Sequence, residues 1–140
     1  MKKTTITIQF RLTGLIPSKK NNQQIVKDKK TGRLYLIPSK RYLVWNRIAK
    51  KELTAQAHEI ALKRGVTFPL QNVASLSVKM HFKDKIIRDL ISKLESIQDT
   101  LTDALLIHDD DWMHINPITA KGVKIEGKNH ITDIFLTITL

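Results

Sequence analysis

Carboxylates crowd one stretch of this chain. Between residues 86 and 112, IIRDLISKLESIQDTLTDALLIHDDDW, stand Asp89, Glu95, Asp99 and Asp103, then the consecutive Asp109, Asp110 and Asp111. Three adjacent aspartates repel one another. A solvated turn tolerates that because water and salt screen surface charge. A hard cation such as Mg²⁺, which prefers oxygen ligands and keeps several waters, would convert the repulsion into ligation. The surrounding chain has the opposite sign: 24 Lys and Arg against 13 Asp and Glu give a net charge of +11. Carboxylates gathered inside a positive protein suggest a metal-dependent site that acts on a polyanion. An ordinary reading stands beside it, since acids decorate the polar side of most helices and Asp-rich turns are common.

The elements around these acids decide between the two. Leu90, Ile91, Leu94, Ile97, Leu101, Ala104 and Leu105 fall mostly on one side at helical period, with Ser92, Glu95, Asp99 and Asp103 on the other. A helix is therefore expected from about Leu90 to Leu105. Asp89 belongs at its first turn, where a carboxylate is favoured. A straight helix would hold Asp89 and Asp110 about 25 Å apart. For the two to share a metal, Asp89 must lie off the helix proper, the helix must break, or the carboxylates must meet across a fold-back or a subunit interface. His108, next to the aspartates, is a candidate helper, although a lone histidine beside a turn is more often incidental.

Composition narrows the function classes. At 140 residues the chain suffices for one domain with a real core. The absence of cysteine excludes disulfides, thiolate catalysis and Cys-based zinc sites, and an intracellular, cytoplasmic protein is the expectation. The N-terminus MKKTTITIQF lacks the apolar run of a secretory signal, and no segment approaches a membrane span. Few aromatics argue against broad base-stacking platforms. Neither a Gly-rich nucleotide loop nor HExxH occurs, so no nucleotide cofactor is expected.

The remaining chain supplies a scaffold. Thr4 to Phe10 alternates as a strand and is broken by Gly14 and Pro17. Residues 18–30, SKKNNQQIVKDKK, form a basic loop that is either a solvated turn or a set of phosphate contacts. Arg33 to Ile37 is a strand that pairs with Gln24–Val26. Ser39 caps a basic amphipathic helix from Tyr42 to about Lys63, with Tyr42, Trp45, Ala49, Leu53 and Ile60 as its stripe and Gly65 as its stop. Trp45 fits the core better than a stacking role. Asn72 to Phe82 is a central strand, residues 112–118 a short strand, Ala120-Lys121-Gly122 a turn, and Val123 and Ile125 part of a short strand. Ile131 to Leu140 is a strong final strand with Asp133 on its polar side. The order implies an α+β or mixed α/β domain over residues 1–140, a small mixed sheet with two main helices packed against it.

Four pieces in this order and spacing, GLIPSKKNNQQIV, GRLYLIPSKRYLVW, RDLISKLESIQDTL and DDD, resemble the RusA-like family of Holliday junction resolvases, small endonucleases common on phages and prophages. The similarity runs from about Thr4 to Leu140. It implies an α+β homodimer that binds four-way DNA junctions in recombination and repair and cleaves them with Mg²⁺ or Mn²⁺. The family's first essential acid falls on Asp89, the acid of its helix on Asp99, the acidic pair after the helix on Asp109 and Asp110, and an acid near the last strand on Asp133. The Pro-Ser-Lys-Lys-Asn-Asn loop falls on Pro17 to Asn22. Two positions depart: the acid two residues after the first falls on Ile91, and the asparagine after that on Ser92. The position of the family's lysine, an acid in some branches, is Glu95.

The site implied by the resemblance has Asp89 and Asp110 as metal ligands, with Glu95 or Asp109 assisting and Asp99 and Asp133 as accessory acids. Lys85, Arg88 or Lys93 would stabilise the phosphate, Lys93 as part of the catalytic set. Lys19, Lys20, Asn21, Lys27, Lys29, Lys30, Arg33, Lys40, Arg41, Lys85 and Arg88 would hold DNA. Ile91 admits two readings. Either it faces inward and Glu95, one turn on, takes the missing acid's place, or the protein binds junctions and cuts weakly or not at all. Outside the endonuclease class stand a non-catalytic DNA-binding phage protein and a basic RNA-binding protein.

Overall fold

The computed structural model describes residues 4–18, 23–84, 88–108, 115, 117–125, 127 and 129–139. In chain order the elements are β1 (Thr5–Thr13), β2 (Gln24–Lys27), β3 (Leu34–Ile37), α1 (Lys40–Arg64), β4 (Val73–Phe82), α2 (Leu90–Asp103), β5 (Ile118–Lys124) and β6 (Ile131–Thr139). The main sheet has the order β1-β6-β4-β5; β4 and β5 run parallel and the other neighbours antiparallel. This is the expected small α+β domain with a mixed sheet and two helices against it.

Alternation builds the core. Ile8, Phe10 and Leu12 of β1 stand beside Leu136, Ile134 and Thr132 of β6, which in turn face Leu76, Val78 and Met80 of β4. These side chains are buried beneath the helices. From α1 the residues Tyr42, Asn46, Ala49, Leu53 and Ala57 are buried, a stripe at helical spacing. Trp45 and Ile60 pack at its edge. The Ser39 hydroxyl accepts from Tyr42 N at 3.2 Å, and Gly65 ends the helix in the left-handed conformation with φ 67°.

The expected pairing of Gln24–Val26 with the strand at 33–37 is found: Gln24–Lys27 forms β2 and pairs with β3 in a separate two-stranded ribbon, so the basic stretch 18–30 is loop only in part. Two expectations need correction. Ala120-Lys121-Gly122 is no turn but the middle of β5, in parallel register with Val78-Lys79-Met80. A Cβ on Gly122 would lie 3.2 Å from the Phe82 ring and 3.5 Å from Leu90 Cδ2, so the glycine marks a close approach. Helix α2 stops at Asp103, and Leu105 turns the chain at φ 58° with its side chain outward. Most of the short strand expected at 112–118 lies outside the described residues. Among the described residues no helix is long and apolar enough to cross a membrane.

Candidate functional site

The crossover from β4 through α2 to β5 brings the start of α2 to the end of the sheet where β1 also finishes. The chain after β1 is held there by two side chains of α2: Lys93 Nζ donates to Ile16 O at 2.5 Å and Ser96 Oγ to Pro17 O at 2.7 Å. The N-terminus of α1 joins them, since Asn46 Nδ2 donates to Thr100 Oγ1 at 2.8 Å and so ties α1 to α2. Between the two helix starts opens a cavity of about 210 Å³, lined by Leu15, Pro17, Ser18, Ser39, Arg41, Arg88, Asp89, Ser92 and Lys93. At about 30 Å³ per water it has room for a tetrahedral anion with several waters.

Asp89 is the N-cap of α2. Its Oδ1 accepts from Ile91 N at 2.9 Å and from Ser92 N at 3.3 Å. Arg88 lies against the Phe82 ring, 5.1 Å from its centroid, and forks onto both oxygens of Asp84, which raises its pKa. Lys93 is buried at 8% exposure. Burial lowers its pKa, and the charges of Arg88 and Arg41 lower it further, against the pull of Asp89. The Ser18 hydroxyl in the pocket wall is buried with no hydrogen-bond partner among the described residues.

Apart from the Asp89 cap, charge placement here runs against helix stability. A helix N-terminus carries partial positive charge and favours acids. Neither helix has an acid in its first turn; α1 begins Lys40-Arg41, and α2 buries Lys93 one turn in. Arg41, Arg88 and Lys93 converge on two positive helix ends with Asp89 as the one carboxylate lining the cavity among the described residues. An anion relieves that arrangement.

The expected residues therefore divide. Asp89, Arg88, Lys93 and Arg41 are brought together. Asp109, Asp110, Lys19, Lys20, Asn21 and Lys85 lie outside the described residues. Lys27, Lys29, Lys30 and Arg33 are exposed on and around the turn of the β2–β3 ribbon, and Lys40 is exposed at the start of α1; none of these lines the cavity. Ile91 does not face inward. Its side chain is 70% exposed, because the inner face of α2 is Lys93, Ser96, Ile97, Thr100 and Leu101, and Ile91 falls opposite. Glu95 shares that outer side, about 120° around the axis from Asp89 at 100° per residue, and does not line the cavity. Asp99 is half-buried on the same helix.

The helix between Asp89 and the aspartate run is unbroken. His108 stands at its far end, where its Nε2 lies 2.6 Å from Gln71 Nε2, next to the Leu70–Ile107 bridge. Asp133 is not left wet on its strand. It points to the sheet face away from the helices and is 5% exposed beneath three partners: Arg11 (Nε to Oδ1, 2.8 Å), Gln9 (Nε2 to Oδ1, 3.1 Å) and His81 (Nε2 to Oδ2, 3.1 Å). Burial raises its pKa, but the bonds from Arg11 and Gln9, the Arg11 charge and the His81 bond outweigh burial and hold the carboxyl below its usual range.

Sequence reasoning missed Ser18 and Ser39 as cavity-lining groups and Gln9, Arg11 and His81 as partners of Asp133. The alternation of β1 held the signal for Gln9, on the polar side of the expected strand; Arg11 lies one residue past the end expected for it, because β1 runs on to Thr13. No protein-family model matches the chain, and no curated protein matches it.

Proposed function

We propose that this chain is a metal-dependent, structure-selective DNA endonuclease of the RusA-like kind, which resolves four-way junctions by paired phosphodiester cleavage. The observation that carries the reading is the cavity at the two helix N-termini, where Asp89 stands among Arg41, Arg88 and Lys93. A phosphodiester placed there meets cations and helix dipoles on one side and a carboxylate on the other. Lys93, held by Ile16 O, is a fixed charge rather than a mobile one. The net charge of +11 favours a polyanion and makes its binding steeply salt-dependent.

Asp89 is the one carboxylate lining the cavity among the described residues, so a divalent ion there would be shared with the substrate. Magnesium sites commonly use one or two carboxylates together with substrate phosphates and water. With both backbone bonds on Oδ1, Asp89 has its second oxygen for such an ion among the described residues. No group of three or more His, Cys, Asp or Glu in metal-binding array occurs among those residues; Asp109 and Asp110, the proposed further ligands, follow the far end of an unbroken α2 and would join Asp89 by a fold-back of the chain or across a subunit interface. Magnesium or manganese would supply an activated water and neutralise charge on the phosphate. The chain's own residues bind and orient: Arg41 and Lys93 hold the phosphate, Ser18 offers it a hydroxyl, and the Asp89 cap fixes its carboxylate on the axis of α2.

A second reading keeps the partner and drops the cleavage. Ile91, 70% exposed two residues after Asp89, puts an apolar side chain where the resemblance implies an acid. The test is cleavage of a labelled mobile four-way junction with and without Mg²⁺ or Mn²⁺, beside an Asp89→Asn variant. Asparagine caps helices as well as aspartate does, so the fold is kept and only the charge is removed. Symmetric paired nicks that need the metal and vanish in the variant are expected. Junction binding without nicks selects the second reading, and equal cleavage by the variant overturns the assignment of Asp89.

A further inference from the structure

Arg88 forms part of the cavity wall, and its guanidinium is not left to find its own place there. Its side chain is only 11% exposed and forks onto Asp84, Nη1 to Oδ1 at 2.5 Å and Nη2 to Oδ2 at 3.1 Å. The same group lies over the Phe82 ring, 5.1 Å from the centroid. Phe82 ends β4, and its ring comes so near Gly122 of β5 that a Cβ there would stand 3.2 Å away. His130 meets the Phe82 ring edge to face, with centroids 5.9 Å apart at 72°. The end of the sheet thus fixes the platform, and the carboxylate fixes the guanidinium upon it.

An acid at this place needs a reason. Its charge repels a polyanion, and an ion pair near the surface stabilises a fold little. Arg88 lines the cavity and Asp84 does not, so the carboxylate holds the cation without itself lining the site. The fork takes two of the guanidinium's N–H groups and sets the plane of the rest. His130 does not compete for the carboxylate. Its Nδ1 accepts from Lys83 N at 3.3 Å, and its Nε2 is 3.9 Å from Asp84 Oδ2, beyond hydrogen-bond reach. Burial and the charge of Arg88 lower the His130 pKa against the pull of Asp84, so it is no rival cation near pH 7. We propose that Asp84 is a positioning residue: it presets the Arg88 guanidinium in the cavity for a phosphate group and itself touches neither phosphate nor metal. The assignment rests on the phosphate reading of the cavity given above, and not on cleavage. Preset geometry lowers the cost of ordering a long side chain when the anion binds.

The experiment titrates the full chain with inorganic phosphate, without divalent metal, and follows the amide signals of Ile91 and Ser92 at the start of α2. It compares Asp84→Asn with Asp84→Ala, each with Arg88 in place and in an Arg88→Met background. Both substitutions remove the charge, so the change in repulsion is common to them; asparagine alone keeps an oxygen for Nη1. With Arg88 in place, the Asn variant is expected to bind phosphate about two- to tenfold more tightly than the Ala variant. With Arg88→Met the two are expected to agree. Equal affinities with Arg88 in place overturn the proposal. A difference that persists in the Arg88→Met background also overturns it, because a merely structural acid would behave so. If Asp84→Ala fails to fold, Asp84→Ser, too short to reach Nη1, takes its place. A wild type that binds no phosphate overturns the proposal together with the reading of the cavity. The expected pattern in a chain that nicks no junction upholds the proposal and removes the endonuclease reading alone.

Discussion

Asp133→Asn should destabilise the domain near neutral pH and be almost silent in strong acid. The wild-type carboxylate takes a forked pair of bonds from Arg11, at 2.8 Å and 3.3 Å, with Gln9 and His81 each at 3.1 Å. Asparagine keeps one acceptor oxygen, enough for Arg11 Nε and Gln9, but turns an amide toward Arg11 Nη2 and His81. It also removes the charge. A hydrogen bond to a charged group contributes about 1.5–3 kcal/mol and a neutral one about 0.5–1.5. Loss of the charge and weakening of these two contacts therefore costs about 1–3 kcal/mol, toward the lower end because the Arg11 side chain is 56% exposed and screened.

The pH dependence follows from the direction of the shift. The Asp133 carboxyl is held below its ordinary value in the fold. Its contribution is complete above the unfolded-state carboxyl range and is lost as pH falls through the lower folded-state value. Urea unfolding of both proteins at neutral pH and near pH 2 reads the difference, which should shrink to a small residue in acid. A variant as stable as the wild type at neutral pH, or a difference that ignores pH, would refute the role given to this cluster. Because Asp133 lies on the sheet face away from the cavity, any junction affinity and cleavage of the proposed kind should be unchanged, whereas an accessory catalytic acid would show itself there.

Two further changes probe the site and its support. Lys93→Met keeps most of the buried stem and removes the ammonium, so, on the proposed reading, the slope of log affinity for a four-way junction against log salt should become shallower by about one. The folded-state pKa of Lys93 is lowered, so charged Lys93 opposes folding. Wild-type stability should therefore gain on the variant as pH rises through that lowered value, which thermal melts across alkaline pH would show. Gly122→Ala sets a methyl 3.2 Å from the Phe82 ring and 3.5 Å from Leu90 Cδ2; it should lower the urea midpoint by an amount equal to about 1–3 kcal/mol, with loosening centred on the first turn of α2.

The fold was legible where the pattern is local. Alternation found β1, β4 and β6; Ser39 and Gly65 bounded α1; and Asp89 marked the start of α2. It failed where a residue's partner is distant in sequence. Gly122 reads as a turn until Phe82 and Leu90 are seen against it. Arg11 and Asp133 are directly paired only through the β1–β6 register, which joins the two ends of the chain.

The same reason explains what was read correctly and wrongly on α2. Periodicity put Ile91 on the apolar side and did not place Lys93 at all; the fold turns Ile91 outward and buries Lys93. Beside the core that takes Leu90, Leu94 and Ile97, the inner side of the first turns meets the carbonyls of Ile16 and Pro17, which lie in no regular element and need donors. Lys93 and Ser96 satisfy them, and Thr100 meets Asn46 one turn later. An apolar residue there would leave buried carbonyls unpaired, at about 1–3 kcal/mol each. The polar inner face of α2 is thus the structural condition for the chain after β1 to close the cavity, and it is what sets a buried cation beside Asp89. The acids of the stretch advertised a site; its shape rests on a lysine and a serine whose partners are carbonyls nearly eighty residues away.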